Sequence, residues 1–424
     1  MDKFIINGGQ TPSGSVEISN SKNSSLPIMA AVLLSQDKLS LKSLPDLKDI
    51  RTMKLLLSKM GVKVNGDEFD ASDITSIEAP YELVKTMRAS VLVLGPLLSR
   101  FGEAKVSMPG GCAIGTRPVD QHLKGLELMG ATIKLENGFI HAKCSQLSGA
   151  NILLDFPSVG ATENLIMAAV YAQGITVIKN AAMEPEITDL CHFLLKLFPK
   201  LEINGLGTSE ISIKGINRDS TCQQIEYSPI SDRIEACTFI ILAAMSNSSM
   251  EVLNCVPKHF QAVINLLESI GVNLKTEKDK VIISPSLGKL REFDVETAPY
   301  PLFPTDVQAQ LMSLATVIDG KSSITENIFE NRFMHVPEMN RMGAKIELKG
   351  KTAIIQGGYE LYGAPVMCTD LRASAALVLN ATVAKGESEV LRVYHIDRGY
   401  DGIDRKLQKL GVDIKRVGEK ALKA

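Results

Sequence analysis

A thiol, a guanidinium and a carboxylate stand close together between Met108 and Asp120: Cys112 precedes Arg117 by five residues, and Asp120 closes the run. Pro109, Gly110, Gly111, Gly115 and Pro118 forbid a regular helix or strand there, because glycine widens the backbone's range and proline removes a donor. The stretch is a loop. Cys237, within the apolar run from Ala236 to Phe239, reads as a packed side chain. Cys112 reads differently. On a polar, glycine-flanked loop with a cation nearby, it is a candidate nucleophile or general acid.

Asp306 is a second candidate, and two readings are open for it within Phe303-Pro304-Thr305-Asp306. As an N-cap it binds backbone N–H groups and does no chemistry. With Thr305 capping instead, Asp306 is left to take a hydroxyl proton as a general base.

The elements that hold these residues repeat. Helical patterns end at Met60-Gly61, Met129-Gly130, Ile270-Gly271, Met342-Gly343 and Leu410-Gly411, each followed by a short strand pattern. The spacing is about seventy residues, with a double gap between Gly130 and Gly271. A degenerate copy without glycine fills that gap at Leu197-Phe198-Pro199. Six β-α-β-α-β-β-like modules follow, three per domain, because one such module cannot bury both its helices and its sheet. The expected division is residues 22–229 for a first domain carrying the Cys112 loop, and 1–21 plus 230–424 for a second. The first strand, around Phe4 to Ile6, completes the second domain's sheet.

Charged residues recur in register with these modules. Lys22, Arg88, Arg233, Asp306 and Arg372 stand at the start of the first helix in five of the six modules, and Lys48, Arg117, Glu186, Lys258, Arg332 and Arg398 at the turn after the first strand in all six. Helix N-termini are already positive, so arginine there raises the local potential and favours an arriving anion such as phosphate or carboxylate. The competing reading pairs each cation with a neighbour, Asp232 for Arg233 or Asp397 for Arg398.

Composition narrows the class. The chain has 424 residues, 45% of them apolar, with 46 Lys+Arg against 48 Asp+Glu and a net charge of −2, so no global field draws it to nucleic acid or membrane. Seven cysteines without a C-x-x-C pair fit a reducing compartment, and the cytoplasm is expected. No apolar stretch reaches the ~18–20 residues of a membrane span, and the N-terminus reads as a strand rather than a signal. The six histidines have no metal-ligand spacing, and His122, His335 and His395 read as packing or surface residues. No nucleotide-binding glycine motif and no G-x-S-x-G are present, so neither metal nor cofactor is expected.

Over nearly its whole length the chain resembles the UDP-N-acetylglucosamine 1-carboxyvinyltransferases, enolpyruvyl transferases of early peptidoglycan synthesis. The likeness rests on Ser21-Lys22-Asn23, Lys85 to Ser90, the Cys112 loop through Asp120, Phe303 to Asp306, Glu330 to His335, Thr369 to Ala373 and His395 to Gly399. It implies an α/β fold of two domains, each an inside-out barrel of three modules. It also implies that Lys22, Asn23, Arg117, Arg372 and Arg398 hold phosphoenolpyruvate. Arg88, Arg117, Pro118, Val119, Asp120, Gln121, Ser158, Val159, Asp306 and Ile328 would line the site for UDP-N-acetylglucosamine. Cys112 would serve proton delivery, a covalent phosphoenolpyruvate adduct and fosfomycin alkylation, and Asp306 would deprotonate the sugar 3-hydroxyl. The family commonly has a lysine two residues before the Ser158-Val159-Gly160 turn; this chain has Phe156, which removes a direct cationic contact to the nucleotide.

Three other functions are weighed. The sister transferase acting on shikimate 3-phosphate would share the architecture without the Cys112 loop. A DNA-encircling clamp requires cations on one face of most modules, a series that Glu186 and Asp306 interrupt. A catalytically dead binder is disfavoured by retained Lys22, Cys112, Asp306 and Arg398.

Overall fold

The structure, a computed structural model, describes residues 2–85, 87–108 and 119–418. Six helical segments with almost no polar face form its cores. In Arg233–Met245 every residue is buried, and Val159–Ala169 and Leu371–Val383 bury all but two residues each. A helix apolar on all sides must be enclosed by other elements. Helices of the second kind, such as Lys48–Lys59, are amphipathic and bury only a stripe containing Ile50, Met53, Leu56 and Leu57.

Enclosure comes from six four-stranded sheets that share one topology. In one of them Glu78–Ala79 runs parallel to Glu103–Ser107, which pairs antiparallel with Phe139–Lys143, which pairs antiparallel with Thr132–Glu136. A parallel pair needs a crossover, and the buried helix Leu94–Phe101 supplies it. Strands such as Glu210–Lys214 alternate buried and exposed residues, so one sheet face covers the helices and the other meets solvent. The fold is thus α/β with the apolar helices inside and the amphipathic ones partly exposed. The sheets are hydrogen-bonded separately, so no continuous barrel closes among the described residues.

Described residues from Asn20 to Ile230 make one compact unit with its own core, and residues 2–19 with 231–418 make another. Each contains three sheets. Distant segments complete some of them: Asp2–Asn7 pairs with Glu387–Leu391 and Asp413–Gly418, Gly14–Glu17 with Met250–Leu253, and Glu226–Tyr227 with Lys38–Leu41.

The glycines at five module ends adopt φ of +108° at Gly61, +95° at Gly130, +102° at Gly271, +97° at Gly343 and +91° at Gly411. Only glycine takes these angles freely. In the third module the chain turns at Phe198 with φ −124°, and the ring is buried edge-on against Tyr171 at 5.6 Å. An apolar anchor replaces the glycine turn there.

Candidate active site

In the unit from Asn20 to Ile230, the predicted residues stand at the starts of the buried helices. Ser21 caps Lys22–Ala31 by accepting from Ser24 N–H at 3.3 Å, which puts Lys22 and Asn23 in the first turn. Lys22 Nζ lies 3.4 Å from Asp49 Oδ2, a nearly buried carboxylate in the first turn of Lys48–Lys59. Arg88 begins the 3₁₀ turn Arg88–Val93, and the Lys22 helix packs against that turn and against Val159–Ala169. Ser158 caps the last of these by accepting from Ala161 N–H at 3.4 Å, with Val159 as its first residue.

The helix Asp120–Leu128 packs against Val159–Ala169. Val119 is buried at its cap and Asp120 is exposed. Gln121 Oε1 accepts from Asp155 N–H at 2.7 Å and Phe156 N–H at 3.4 Å, while Nε2 donates to Phe156 O at 3.3 Å. Its amide therefore holds the turn before Ser158. Next along, Asn164 Oδ1 accepts from Gly95 N–H at 2.6 Å, leaving Nδ2 to donate to Val91 O at 3.0 Å and His122 Nδ1 at 2.9 Å. His122 must then be neutral, with its proton on Nε2. Burial pushes its pKa down to about 4, and the charge of Arg88 adds to the fall. Gly160 lets the ring approach, since a Cβ there would meet His122 Cε1 at 3.3 Å.

The other unit places two arginines on Asp306. Arg332 Nη2 donates to Oδ1 at 2.6 Å and Arg372 Nη2 to Oδ2 at 3.2 Å, and both guanidiniums are almost fully buried. Burial acts to lower the pKa of Arg372, but the charge of Asp306, with Tyr400 and Asp232 behind it, wins and raises it. Arg372 also lies over the Tyr400 ring at 5.6 Å. Gln310 Nε2 lies within hydrogen-bond distance of Asp306 O, Thr238 Oγ1 and Tyr400 OH at 3.0, 3.2 and 3.1 Å, so its two N–H groups are shared among three elements behind the carboxylate. Arg332 Nε and Arg372 Nη1 are buried without a hydrogen-bond partner among the described residues. Spare donors on two buried cations suit an incoming anion.

Asp306 does not cap its helix. Pro304 and Val307 occupy the cap positions with no side-chain cap bond, and the Thr305 hydroxyl bonds Glu326 instead. Asp370 does cap, accepting from Arg372 N–H and Ala373 N–H at 3.0 Å each. Asp232 caps Arg233–Met245, and Asp397 accepts from Arg416. Arg398 ends the 3₁₀ segment Val393–Arg398, and Ile328 sits half-exposed with its N–H on Glu326 Oε1 at 2.8 Å. Cys112, Arg117 and Pro118 lie outside the described residues. Sequence reasoning missed the roles of Glu326 and Thr305 around Asp306. It placed Arg332 in the charged series and in the Glu330 to His335 stretch without assigning it a role, and that register was the available signal.

Residues 6–407 match the family described as EPSP synthase (3-phosphoshikimate 1-carboxyvinyltransferase). This chain belongs to the EPSP synthase family. Within it, the chain is 50% identical to the UDP-N-acetylglucosamine 1-carboxyvinyltransferase of Granulibacter bethesdensis, over 98% of this chain and 100% of that one. It is 49% identical to the protein of the same description from Koribacter versatilis, over 99% and 97%. Its fold is similar to that of the enolpyruvyl transferase NikO from Streptomyces tendae, with a TM-score of 0.88 and 24% identity over 99% of each chain. EPSP synthase from Acinetobacter baumannii superposes with a TM-score of 0.75 and 17% identity, over 99% of this chain and 100% of that one. No described helix is long and apolar enough to cross a membrane.

Proposed function

We propose that this chain transfers the enolpyruvyl group of phosphoenolpyruvate to the 3-hydroxyl of UDP-N-acetylglucosamine with release of phosphate, the committed step of peptidoglycan precursor synthesis, in the cytoplasm. The observation that carries this reading is identity of about half, along nearly the whole chain, to two relatives described by that reaction. Residues 22–229 and 1–21 plus 230–424 act as its two domains.

The reaction is addition followed by elimination. The sugar oxygen bonds to C2 of phosphoenolpyruvate as Asp306 takes its proton, and C3 gains a proton delivered by Cys112. The tetrahedral intermediate then loses phosphate and a C3 proton, restoring the double bond. Lys22, Asn23, Arg117, Arg372 and Arg398 counter the carboxylate and phosphate charge, which develops most strongly in the transition state. Arg88, Arg117, Pro118, Val119, Asp120, Gln121, Ser158, Val159, Asp306 and Ile328 recognise the sugar nucleotide, Gln121 by holding the turn before Ser158. The paired state of Asp306 supports its role: Arg372 on Oδ2 can be drawn away by the phosphoenolpyruvate anion, while Arg332 on Oδ1 keeps the carboxylate in place.

The test is mass spectrometry of the product. Enolpyruvyl ether of UDP-N-acetylglucosamine is expected from the two substrates together; unchanged substrates after prolonged incubation with folded enzyme would overturn the assignment.

A further inference from the structure

Glu326 is a carboxylate with 2% exposure at the end of strand Gly320–Thr325. Burying such a group is costly unless its lone pairs are filled. Here they are filled by neutral donors. Oε1 accepts from Thr297 Oγ1 at 3.0 Å, Ile328 N–H at 2.8 Å and Phe329 N–H at 3.1 Å, and Oε2 accepts from Thr305 Oγ1 at 2.8 Å. Thr297 Oγ1 in turn accepts from Asn327 N–H at 2.9 Å, so the backbone from Asn327 to Phe329 is fastened to this one side chain and its partner.

The Thr305 hydroxyl has a single proton and gives it to Glu326. Toward Arg332 it can therefore only accept, from Nη1 at 2.9 Å. A guanidinium only donates and a carboxylate only accepts, so the chain Arg332 to Thr305 to Glu326 has one possible direction. The same guanidinium's Nη2 donates to Asp306 at 2.6 Å. Because the guanidinium is planar and rigid, fixing one of its nitrogens fixes the other.

We propose that Glu326 and Thr305 are positioning residues that set the orientation of Asp306 through Arg332. Resting on the function proposed above, Glu326 then has two roles, aiming the base and holding the Ile328 loop that meets the acceptor sugar. Acceptor recognition and proton removal are thereby tied to one buried carboxylate. Reaction rates are sensitive to displacements of the order of an ångström, so slack in this chain appears first in turnover.

The experiment compares Thr305→Val, which removes the hydroxyl and keeps the shape, with Thr305→Ser, which keeps the hydroxyl, and Glu326→Gln, which replaces one acceptor by a donor. Thr305→Ala is the second hydroxyl-free variant if the valine form does not fold, and thermal melting is recorded for all. Thr305→Val and Glu326→Gln are each expected to lower kcat about ten- to a hundredfold, with Thr305→Ser within about twofold of wild type. Glu326→Gln alone raises KM for UDP-N-acetylglucosamine, because it alone loosens the Ile328 loop. In the double variant Thr305→Val/Glu326→Gln, kcat falls no further than in the worse single variant, as for two links of one chain. Hydroxyl-free variants retaining kcat within about twofold, or losses that multiply in the double variant, would overturn the inference. Wild-type turnover, measured alongside, tests the parent reading separately: its absence removes that reading, whereas active wild type with indifferent variants removes only this one.

Discussion

Arg372 Nη2 lies 3.2 Å from Asp306 Oδ2, joining the first turns of two buried helices 66 residues apart. Arg332 occupies the carboxylate's other oxygen at 2.6 Å. Two nearly buried cations thus share one anion, and each retains an unused buried donor among the described residues.

Asp306→Asn is expected to abolish turnover and to destabilise the fold. Removing one partner of a buried ion pair usually costs about 3–5 kcal/mol; with the Asp306 side chain 28% exposed, about 2 kcal/mol is expected. Added inorganic phosphate should restore part of the lost thermal stability by replacing the missing charge. Equal melting temperatures for variant and wild type would show that the pair contributes little.

Fosfomycin is expected to alkylate Cys112 and no other thiol. Of the six other cysteines five are buried, and burial pushes Cys191 up to about 12, Cys255 up to about 11 and Cys368 up to about 12, which keeps them as unreactive thiols; the sixth, partly buried Cys144, donates its S–H to Gln146 O at 3.0 Å. Cys112→Ser should lose both alkylation and most turnover. Peptide mapping that finds the adduct elsewhere would count against the assigned thiol.

Buried His122 makes stability depend on pH. Its folded pKa of about 4 lies below the unfolded 6.5, so between these values the unfolded chain binds the extra proton. The His122 contribution is whole above pH 6.5 and is lost as pH falls toward 4, by at most about 3 kcal/mol. His335, lowered to about 4 mainly by burial, acts with the same sign. Urea unfolding at about pH 7.5 and about pH 5 should show wild type losing more stability than His122→Gln. Parallel losses would contradict the buried neutral ring.

The repeat was legible because the glycine turns ending five helices carry a backbone requirement that few residues meet. Legible too was the site's charge, since Arg332, Arg372 and Asp306 keep the register of the modules. Glu326 and Thr305 were not, because their bonds join segments about twenty residues apart with no periodic signature. Further bonds of the adjacent carboxylates were not legible either: Asp232 also accepts from the backbone N–H groups of Ile234 and Glu235, and Asp397 from Arg416.

Phe156 is 52% exposed beside the Ser158 turn, and Lys124 nearby is paired with Asp155 at 3.1 Å. Phe156→Lys adds an uncommitted cation where the substrate is a diphosphate. KM for UDP-N-acetylglucosamine should fall about three- to tenfold with kcat unchanged, and the gain should shrink as salt rises. An unchanged KM at low salt would place the nucleotide away from this turn.

Phosphate release is the most direct measurement. With phosphoenolpyruvate and UDP-N-acetylglucosamine together, phosphate should appear in proportion to enzyme; either substrate alone, or phosphoenolpyruvate with shikimate 3-phosphate, should give none. Release with shikimate 3-phosphate but not with the sugar nucleotide would contradict the proposed reaction.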